Sequence, residues 1–181
     1  PHLAERIQLG AVLELGQPYG GLQLPADEHT PVLLLAAGSG ITPLRALLCE
    51  ALAAGSLRPI SLAYWAQCAA EVCFESELRA LAVQHPNFRL QLLLTRDPLA
   101  PAPRIDRETL QRIAPELGEQ VVLACGPDGF IERARALCVD ASGFCAEGFS
   151  PPALATDGGP AQVQLARSGQ ALTLPRDRPL L

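Results

Sequence analysis

One short segment constrains the fold of this chain more than any other. Val32–Ala37 is a continuous apolar run of strand length, which is typical of a strand buried on both faces. A glycine-containing turn, Gly38–Gly40, follows it directly. A helical pattern then begins, with Thr42 as its predicted N-cap and Pro43 in the first helical position. This succession predicts the opening unit of a parallel α/β sheet.

The alternation of strand and helix patterns continues to about residue 149. Because a helix separates each pair of strands, the pattern predicts a doubly wound, five-stranded parallel sheet of order 3-2-1-4-5, with helices on both faces. The predicted strands are Val32–Ala37, Ile60–Trp65, Phe88–Thr95, Val121–Cys125 and, as a strand or loop, Gly143–Phe149. The predicted helices run from Thr42 towards Gly55 and over Glu71–Gln84, Asp106–Ile113 and Pro127–Val139.

Both ends of the chain depart from this alternation. Near the start, Leu9–Leu15 and Leu22–Pro25 are typical of two short strands around a turn. Near the end, a linker over Pro151–Gly159 precedes a predicted hairpin made by Val163–Ala166 and Ala171–Leu174. Both ends are too short to be domains. We therefore divide the chain into residues 1–30, 31–150 and 151–181.

The glycine turn predicts a phosphate site. Glycines allow close backbone approach, and a helix start offers free N–H groups at the positive end of its dipole. The turn is neither a P-loop, because no lysine follows, nor G-x-G-x-x-G, because Pro43 takes the third glycine's place. An ordinary strand–helix turn is the alternative. Cys125–Pro127 ends the fourth strand, so in the predicted order it faces the glycine turn across one crevice.

Several segments resemble the ferredoxin–NADP reductase family. Ala37–Pro43 and Ala124–Pro127 resemble its two nucleotide-binding signatures, and Ala146–Phe149 resembles the acidic-aromatic segment after the last strand. Leu9–Pro25 is similar to the final hairpin of the preceding flavin barrel, and Val163–Leu181 to the opening hairpin of a fused plant-type ferredoxin domain. The resemblance covers nearly the whole chain. It is closest to bacterial reductases with a C-terminal [2Fe–2S] domain, including electron-transfer partners of fatty acyl desaturases.

The resemblance implies an oxidoreductase that passes electrons from NAD(P)H through FAD to a [2Fe–2S] centre, and on to an oxygenase or desaturase. The cofactors supply the redox chemistry, and the protein positions them. The family's flavin signature and the cluster cysteines are absent from these 181 residues. We therefore expect this chain to carry the nicotinamide-nucleotide site, to need the flavin and ferredoxin domains of a parent chain, and to be inactive alone.

The resemblance also implies roles for single residues. Cys125 is expected beside the nicotinamide ring as a positioning residue, and Glu147 near the reaction centre, where it tunes polarity or proton supply. The alternatives are a small buried filler for Cys125 and an ordinary surface glutamate for Glu147. Phe149 packs at the flavin–nucleotide interface or in the core. The full predicted coenzyme-binding set is Gly38, Ser39, Gly40, Ile41, Thr42, Pro43, Tyr64, Gln67, Arg96, Gly126, Pro127 and Phe149.

The loop after the second strand bears on the choice of coenzyme. NADPH users of the family tend to place a cation there for the 2′-phosphate, whereas Tyr64–Glu71 has no basic residue. Gln67 stands where related desaturase reductases often have arginine. A missing charge-assisted contact disfavours NADPH, although Arg96 could supply one. The choice stays open, with a tilt towards NADH.

Composition and cysteine spacing narrow the other possibilities. A net charge of −5 without any basic run argues against a nucleic-acid partner, and no apolar stretch approaches the ~20 residues of a membrane span. Six cysteines in largely apolar segments predict buried, reduced thiols and a cytoplasmic protein. Cys68 and Cys73 have the spacing that opens a plant-type cluster site, but Ser76 stands where the third ligand belongs. No metal site is predicted.

Two other functions compete with an electron-transfer reductase. A non-catalytic module that binds adenine nucleotides could use the same crevice. A self-contained small dehydrogenase is disfavoured, because the chain has no lysine for a Tyr–Lys pair and its three histidines do not follow parallel strands.

Overall fold

The computed structural model describes residues 7–8, 10–13, 20–99, 101–102, 104–149, 161–164 and 169–174. Its main body is a sheet of five parallel strands in the order β3-β2-β1-β4-β5, which confirms the predicted architecture. The strands are β1 (Val32–Ala37), β2 (Ile60–Ala66), β3 (Phe88–Leu94), β4 (Val121–Gly126) and β5 (Gly143–Gly148). The α-helices are α1 (Ile41–Ala53), α2 (Glu75–Gln84), α3 (Arg107–Ile113) and α4 (Asp128–Leu137).

The central strand β1 is buried along its whole length because apolar layers cover both faces of the sheet. Successive side chains of a strand point to opposite faces. Leu34 accordingly packs in one core with residues of α1 and α2, and Leu33 and Leu35 pack in the other with residues of α3 and α4. This burial explains the unbroken apolar run in the sequence.

The start of α1 differs from the prediction. The helix begins at Ile41 with Gly40 as its N-cap, after a one-turn 3-10 helix over Gly38–Gly40. Thr42 therefore lies inside the first turn, where its hydroxyl donates a hydrogen bond of 2.9 Å to the carbonyl oxygen of Ser39. The prediction of Thr42 as N-cap was wrong, because this hydroxyl bonds a carbonyl and not a free N–H group. The prediction of Pro43 in the first helical position was wrong too, because the helix begins two residues earlier, at Ile41.

The start of α2 also differs. A one-turn 3-10 helix covers Ala69–Glu71, and the α-helix begins only at Glu75. Between them, Phe74 adopts the left-handed conformation with φ 60° and ψ 21°, and its side chain is 41% exposed. At helical spacing Phe74 and Leu78 would share one side of the predicted helix Glu71–Gln84, but only Leu78 is buried in a helix here. A bulky residue in this conformation costs about 1–3 kcal/mol, so surrounding contacts must hold it there.

At the two ends of the chain, the structure differs in part from the prediction. Leu22–Pro25 is described and forms no strand, because Leu22 and Leu24 pack against the core on the α1 side instead of pairing with another chain segment. Of the predicted strand Leu9–Leu15, only residues 10–13 are described, and they form none. The predicted linker Pro151–Gly159 lies outside the described residues. Two short strands, β6 (Ala161–Gln164) and β7 (Ala171–Leu174), pair antiparallel near the end.

The cysteines are less uniformly buried than expected. Cys125 and Cys138 are buried, but Cys73 and Cys145 are exposed because one lies in the loop before α2 and the other on the edge strand β5. In the part of the chain that the structure describes, no helix has the length and apolar character needed to cross a membrane.

Asp106, the first residue of the predicted helix Asp106–Ile113, is the N-cap of α3. Its carboxylate accepts a hydrogen bond of 2.8 Å from the Thr109 N–H, and this bond holds the pKa of Asp106 below its ordinary value. Such a group stabilises the fold above its unfolded pKa of about 4 and loses that contribution as the pH falls through the folded pKa.

We expect Asp106→Asn to keep the cap and to reduce the loss of unfolding free energy as the pH falls from about 5 to 2. Asp106→Ala, which removes the acceptor, is expected to destabilise the protein at pH 7 as well. Urea titrations at several pH values measure both effects. An acid dependence in Asp106→Asn that equals that of the unaltered protein contradicts the assignment.

Candidate functional site

A cleft of about 730 Å³ opens at the carboxyl edge of the sheet. Gly38, Gln67 and Pro127 line it, and each directly follows the last residue of a strand, β1, β2 and β4 respectively. Strand order reverses between β1 and β4, which is where open parallel sheets bind ligands. The cleft therefore lies where the sequence predicted a nucleotide crevice.

The two glycines of the β1–α1 turn serve different purposes. Gly38 has a φ of 56° with open space where a side chain would stand, so the backbone conformation favours glycine there. Gly40 has an ordinary helical backbone, but a Cβ atom on it would overlap the carbonyl group of Cys125 and lie 2.8 Å from the nitrogen of Gly126. Glycine at position 40 thus lets the first turn pack directly on the end of β4.

Two helices begin beside this contact without side-chain caps. The N-cap residues of α1 and α4 are Gly40 and Pro127, and neither gives the helix a capping hydrogen bond from its side chain. The first N–H groups of a helix need acceptors, and its dipole favours an anion at that end. This arrangement suits a pyrophosphate.

Two arginines that the sequence reasoning missed supply positive charge. Arg104 follows the proline-rich segment after β3, and Arg133 lies on α4; both side chains are exposed and line the cleft. The Nε of Arg133 donates a hydrogen bond of 3.2 Å to the carbonyl oxygen of Ile105, which orients the side chain. Helix periodicity could have found Arg133, because it lies four residues after Gly129 and so shares its face. Arg104 carries no comparable sequence signal.

Several predicted residues do not reach the cleft with their side chains. Tyr64 and Ile41 are fully buried in the core on the α1 side. The Tyr64 hydroxyl accepts a hydrogen bond of 3.2 Å from the Cys73 N–H, and burial raises the pKa of this phenol. Arg96 is exposed, and its backbone N–H donates to the carbonyl oxygen of Gln67 at 2.8 Å. Tyr64 thus supports the loop after β2 from within the core.

The remaining coenzyme-binding predictions fall around the first turn and the end of β4. Ser39 and Thr42 are exposed, Pro43 is half-buried, and Gly126 is buried between Ala37 and Phe130. Phe130 also packs its ring against that of Trp65, with ring centres 5.4 Å apart, and the two rings form an apolar wall of the cleft.

Cys125 and Glu147 are paired neighbours on β4 and β5. Cys125 is 5% exposed; burial raises the pKa of its thiol, and the charge of Glu147 raises it further. The group is therefore a thiol at neutral pH, which makes it a poor nucleophile. Glu147 accepts a hydrogen bond of 2.9 Å from the Gly21 N–H, so it ties the segment before β1 to the end of β5. Phe149, just beyond β5, is 51% exposed.

Comparison with known proteins identifies relatives of this chain. Residues 34–136 match the family described as the oxidoreductase NAD-binding domain. An NADPH oxidoreductase of Mycobacterium tuberculosis is 31% identical over 94% of this chain and 45% of its own length. The ferredoxin reductase component of a 3-ketosteroid-9-alpha-monooxygenase from the same organism is 32% identical over 74% of this chain and 36% of its own length. The chain thus spans less than half of either relative.

Solved structures share the fold. A flavohemoglobin from Malassezia yamatoensis with bound FAD and heme superposes with a TM-score of 0.69 at 26% identity, over 82% of this chain and 40% of that one. The FAD/NAD-binding domain of a nitric oxide dioxygenase from Vibrio cholerae gives a TM-score of 0.69 at 20% identity, over 83% of this chain and 63% of that one. The second likeness concerns the fold alone.

Proposed function

The chain belongs to the oxidoreductase NAD-binding domain family of ferredoxin–NADP reductase-type proteins, and on that basis we propose that it is the nicotinamide-nucleotide-binding module of an electron-transfer reductase. One observation carries the proposal: the first glycine of the β1–α1 turn, the uncapped start of α4 and two arginines line one cleft at the switch point of the sheet. Each of these features favours a bound pyrophosphate.

In the whole protein, NAD(P)H is proposed to supply a hydride to FAD, and single electrons then reach a [2Fe–2S] centre and an oxygenase or desaturase partner. Residues 1–30 are proposed to complete the flavin barrel, and residues 151–181 to link to and begin a ferredoxin domain. The hydrogen bond from the Gly21 N–H to Glu147 supports this division, because it fixes the segment before β1 at the end of the edge strand β5, and the proposed flavin barrel would precede that segment.

In this proposal, different residues of the cleft bind different parts of the coenzyme. The amides around Gly38–Gly40 take the pyrophosphate, and Arg104 and Arg133 offset its charge. Glu71, which lines the cleft after β2, is placed to accept a hydrogen bond from a ribose 2′-hydroxyl and to repel a 2′-phosphate. This favours NADH, although the Mycobacterium tuberculosis relative is named for NADPH.

Cys125 and Glu147 belong to the nicotinamide end of the proposed site. The small, protonated thiol of Cys125 leaves room for the nicotinamide ring to approach a flavin. Glu147 holds the segment that leads to the preceding domain, and Phe149 offers an exposed ring to the same junction. In this proposal all three residues position the cofactors, and none forms a covalent bond.

The chain by itself is expected to bind ADP, and NADH is expected to bind within about threefold of ADP. The phosphate-binding groups all lie within the described domain, whereas the nicotinamide lacks its flavin neighbour. Calorimetric titration with both ligands tests this. Cys125→Ala is the control, because it lies away from the adenosine half and should leave ADP affinity unchanged. Failure to bind ADP contradicts the proposed function, and a tenfold or larger gain for NADH contradicts the placement of the nicotinamide.

A further inference from the structure

The loop between β2 and α2, residues 67–74, carries two side chains into the cleft, Gln67 and Glu71. It ends at Phe74, the one residue other than glycine with a positive φ in the described part of the chain. For a bulky side chain this conformation is an outlier that persists only when its surroundings hold it.

Arg45 of α1 joins Phe74 to α2. Its guanidinium carbon lies 4.6 Å from the centre of the Phe74 ring, which is a cation–π contact. The same guanidinium donates two hydrogen bonds to the Glu77 carboxylate, 2.8 Å from Nε and 2.6 Å from Nη2. A bidentate pair of this kind fixes the plane of the guanidinium. We call Arg45, Phe74 and Glu77 the clasp.

Two further bonds fix the rest of the loop. The Cys73 N–H donates to the hydroxyl of the fully buried Tyr64, and the carbonyl oxygen of Gln67 accepts from the Arg96 N–H. The loop is therefore fastened at its first residue and at its last two. Glu71 lies between these points, so its position in the cleft depends on both.

We propose that the clasp sets the coenzyme selectivity of the cleft, an inference that rests on the proposed function. Discrimination between a 2′-hydroxyl and a 2′-phosphate requires Glu71 and Gln67 to be held in place, because a mobile carboxylate can turn away from a phosphate. Arg45, Phe74 and Tyr64 lie outside the cleft lining and act as positioning residues through the loop. The phosphate-binding turn lies elsewhere, so the clasp governs the ratio of affinities more than their strength.

The test compares the affinities of the chain for NADH and NADPH. Phe74→Ala and Arg45→Met each break the clasp, and the ratio of the two dissociation constants is expected to move towards one by at least about threefold. Phe74→Tyr keeps the ring and is expected to restore the original ratio. Arg79→Gln is the matched control, because it breaks the exposed Arg79–Glu75 pair on α2, the helix that carries Glu77, without touching the loop.

Hydrogen exchange gives a readout that needs no nucleotide. Tyr64→Phe keeps the buried ring and removes the acceptor for the Cys73 N–H, so this amide should exchange faster and the affinity ratio should move towards one. A ratio of one in the unaltered protein, or a ratio unchanged in folded Phe74→Ala and Arg45→Met, overturns the clasp while ADP binding still supports the proposed function. Absence of ADP binding overturns both.

Discussion

Replacing Gly40 by alanine is expected to lower the free energy of unfolding by more than about 3 kcal/mol, beyond the usual cost of one extra methyl group in a core. The added Cβ atom would overlap the carbonyl group of Cys125. The Cys125 carbonyl belongs to the backbone, and the backbone also fixes the position of the added Cβ atom, so no side-chain rotation relieves the overlap. The turn after β1 must separate from the end of β4, and a loss of this size lowers Tm by about 10 °C in a chain of this length.

Gly129→Ala is the matched control. Gly129 lies in the first turn of α4, and a Cβ atom on it meets no atom within 4 Å. Alanine there is expected to leave stability unchanged or to raise it by up to about 1 kcal/mol, since it restricts the unfolded chain. Urea and thermal unfolding of both variants provide the measurement. A Gly40→Ala protein as stable as Gly129→Ala contradicts the packing described at the switch point.

This result would change how Gly40 is understood. From the sequence, the glycines of this turn predict close approach of a phosphate to the backbone. In the structure, the group that approaches Gly40 is the protein's own Cys125–Gly126 peptide. A pattern of glycines predicts close backbone approach but does not say whether the neighbour is a ligand or another part of the chain.

The sheet could be predicted because its signals are local. An apolar run at β1, glycines after β1 and at the end of β4, and a helical pattern between strands together determine a parallel order. The starts of α1 and α2 could not be predicted in the same way. Thr42 fits the local preference for an N-cap, but its hydroxyl donates to the carbonyl oxygen of Ser39, three residues earlier. Phe74 fits the helical spacing, but its contact with Arg45, which is distant in sequence, holds it outside the helix.

The sequence predicted the turns that line the cleft but not its two arginines. Gly38, Gln67 and Pro127 directly follow strand ends, so topology places them together. Arg104 reaches the cleft from a loop whose path no periodicity describes. Tyr64 shows the opposite error, because a residue next to a predicted binding loop proved to support the loop from within the core.

The second large effect concerns ADP binding by the two arginines of the cleft, Arg104 and Arg133. Arg104→Gln combined with Arg133→Gln is expected to weaken ADP binding by about 10- to 100-fold, from the loss of two charge-assisted contacts of roughly 1.5 kcal/mol or less each at exposed positions. Adenosine, which lacks phosphates, should lose less than about twofold. Comparing the two ligands separates loss of charge from collapse of the cleft.

Arg135→Gln is the control for this pair. Arg135 lies two residues beyond Arg133 on the same helix, but its guanidinium stacks 4.6 Å from the centre of the Phe144 ring and lies outside the cleft lining. Its loss should leave both ligands unaffected. The ADP affinity of the unaltered protein should also fall as salt is raised from about 20 to 500 mM, and that of the double variant should fall less, because fewer charge contacts remain to be screened. Equal losses for ADP and adenosine, or an equal loss in Arg135→Gln, would place the phosphates away from Arg104 and Arg133.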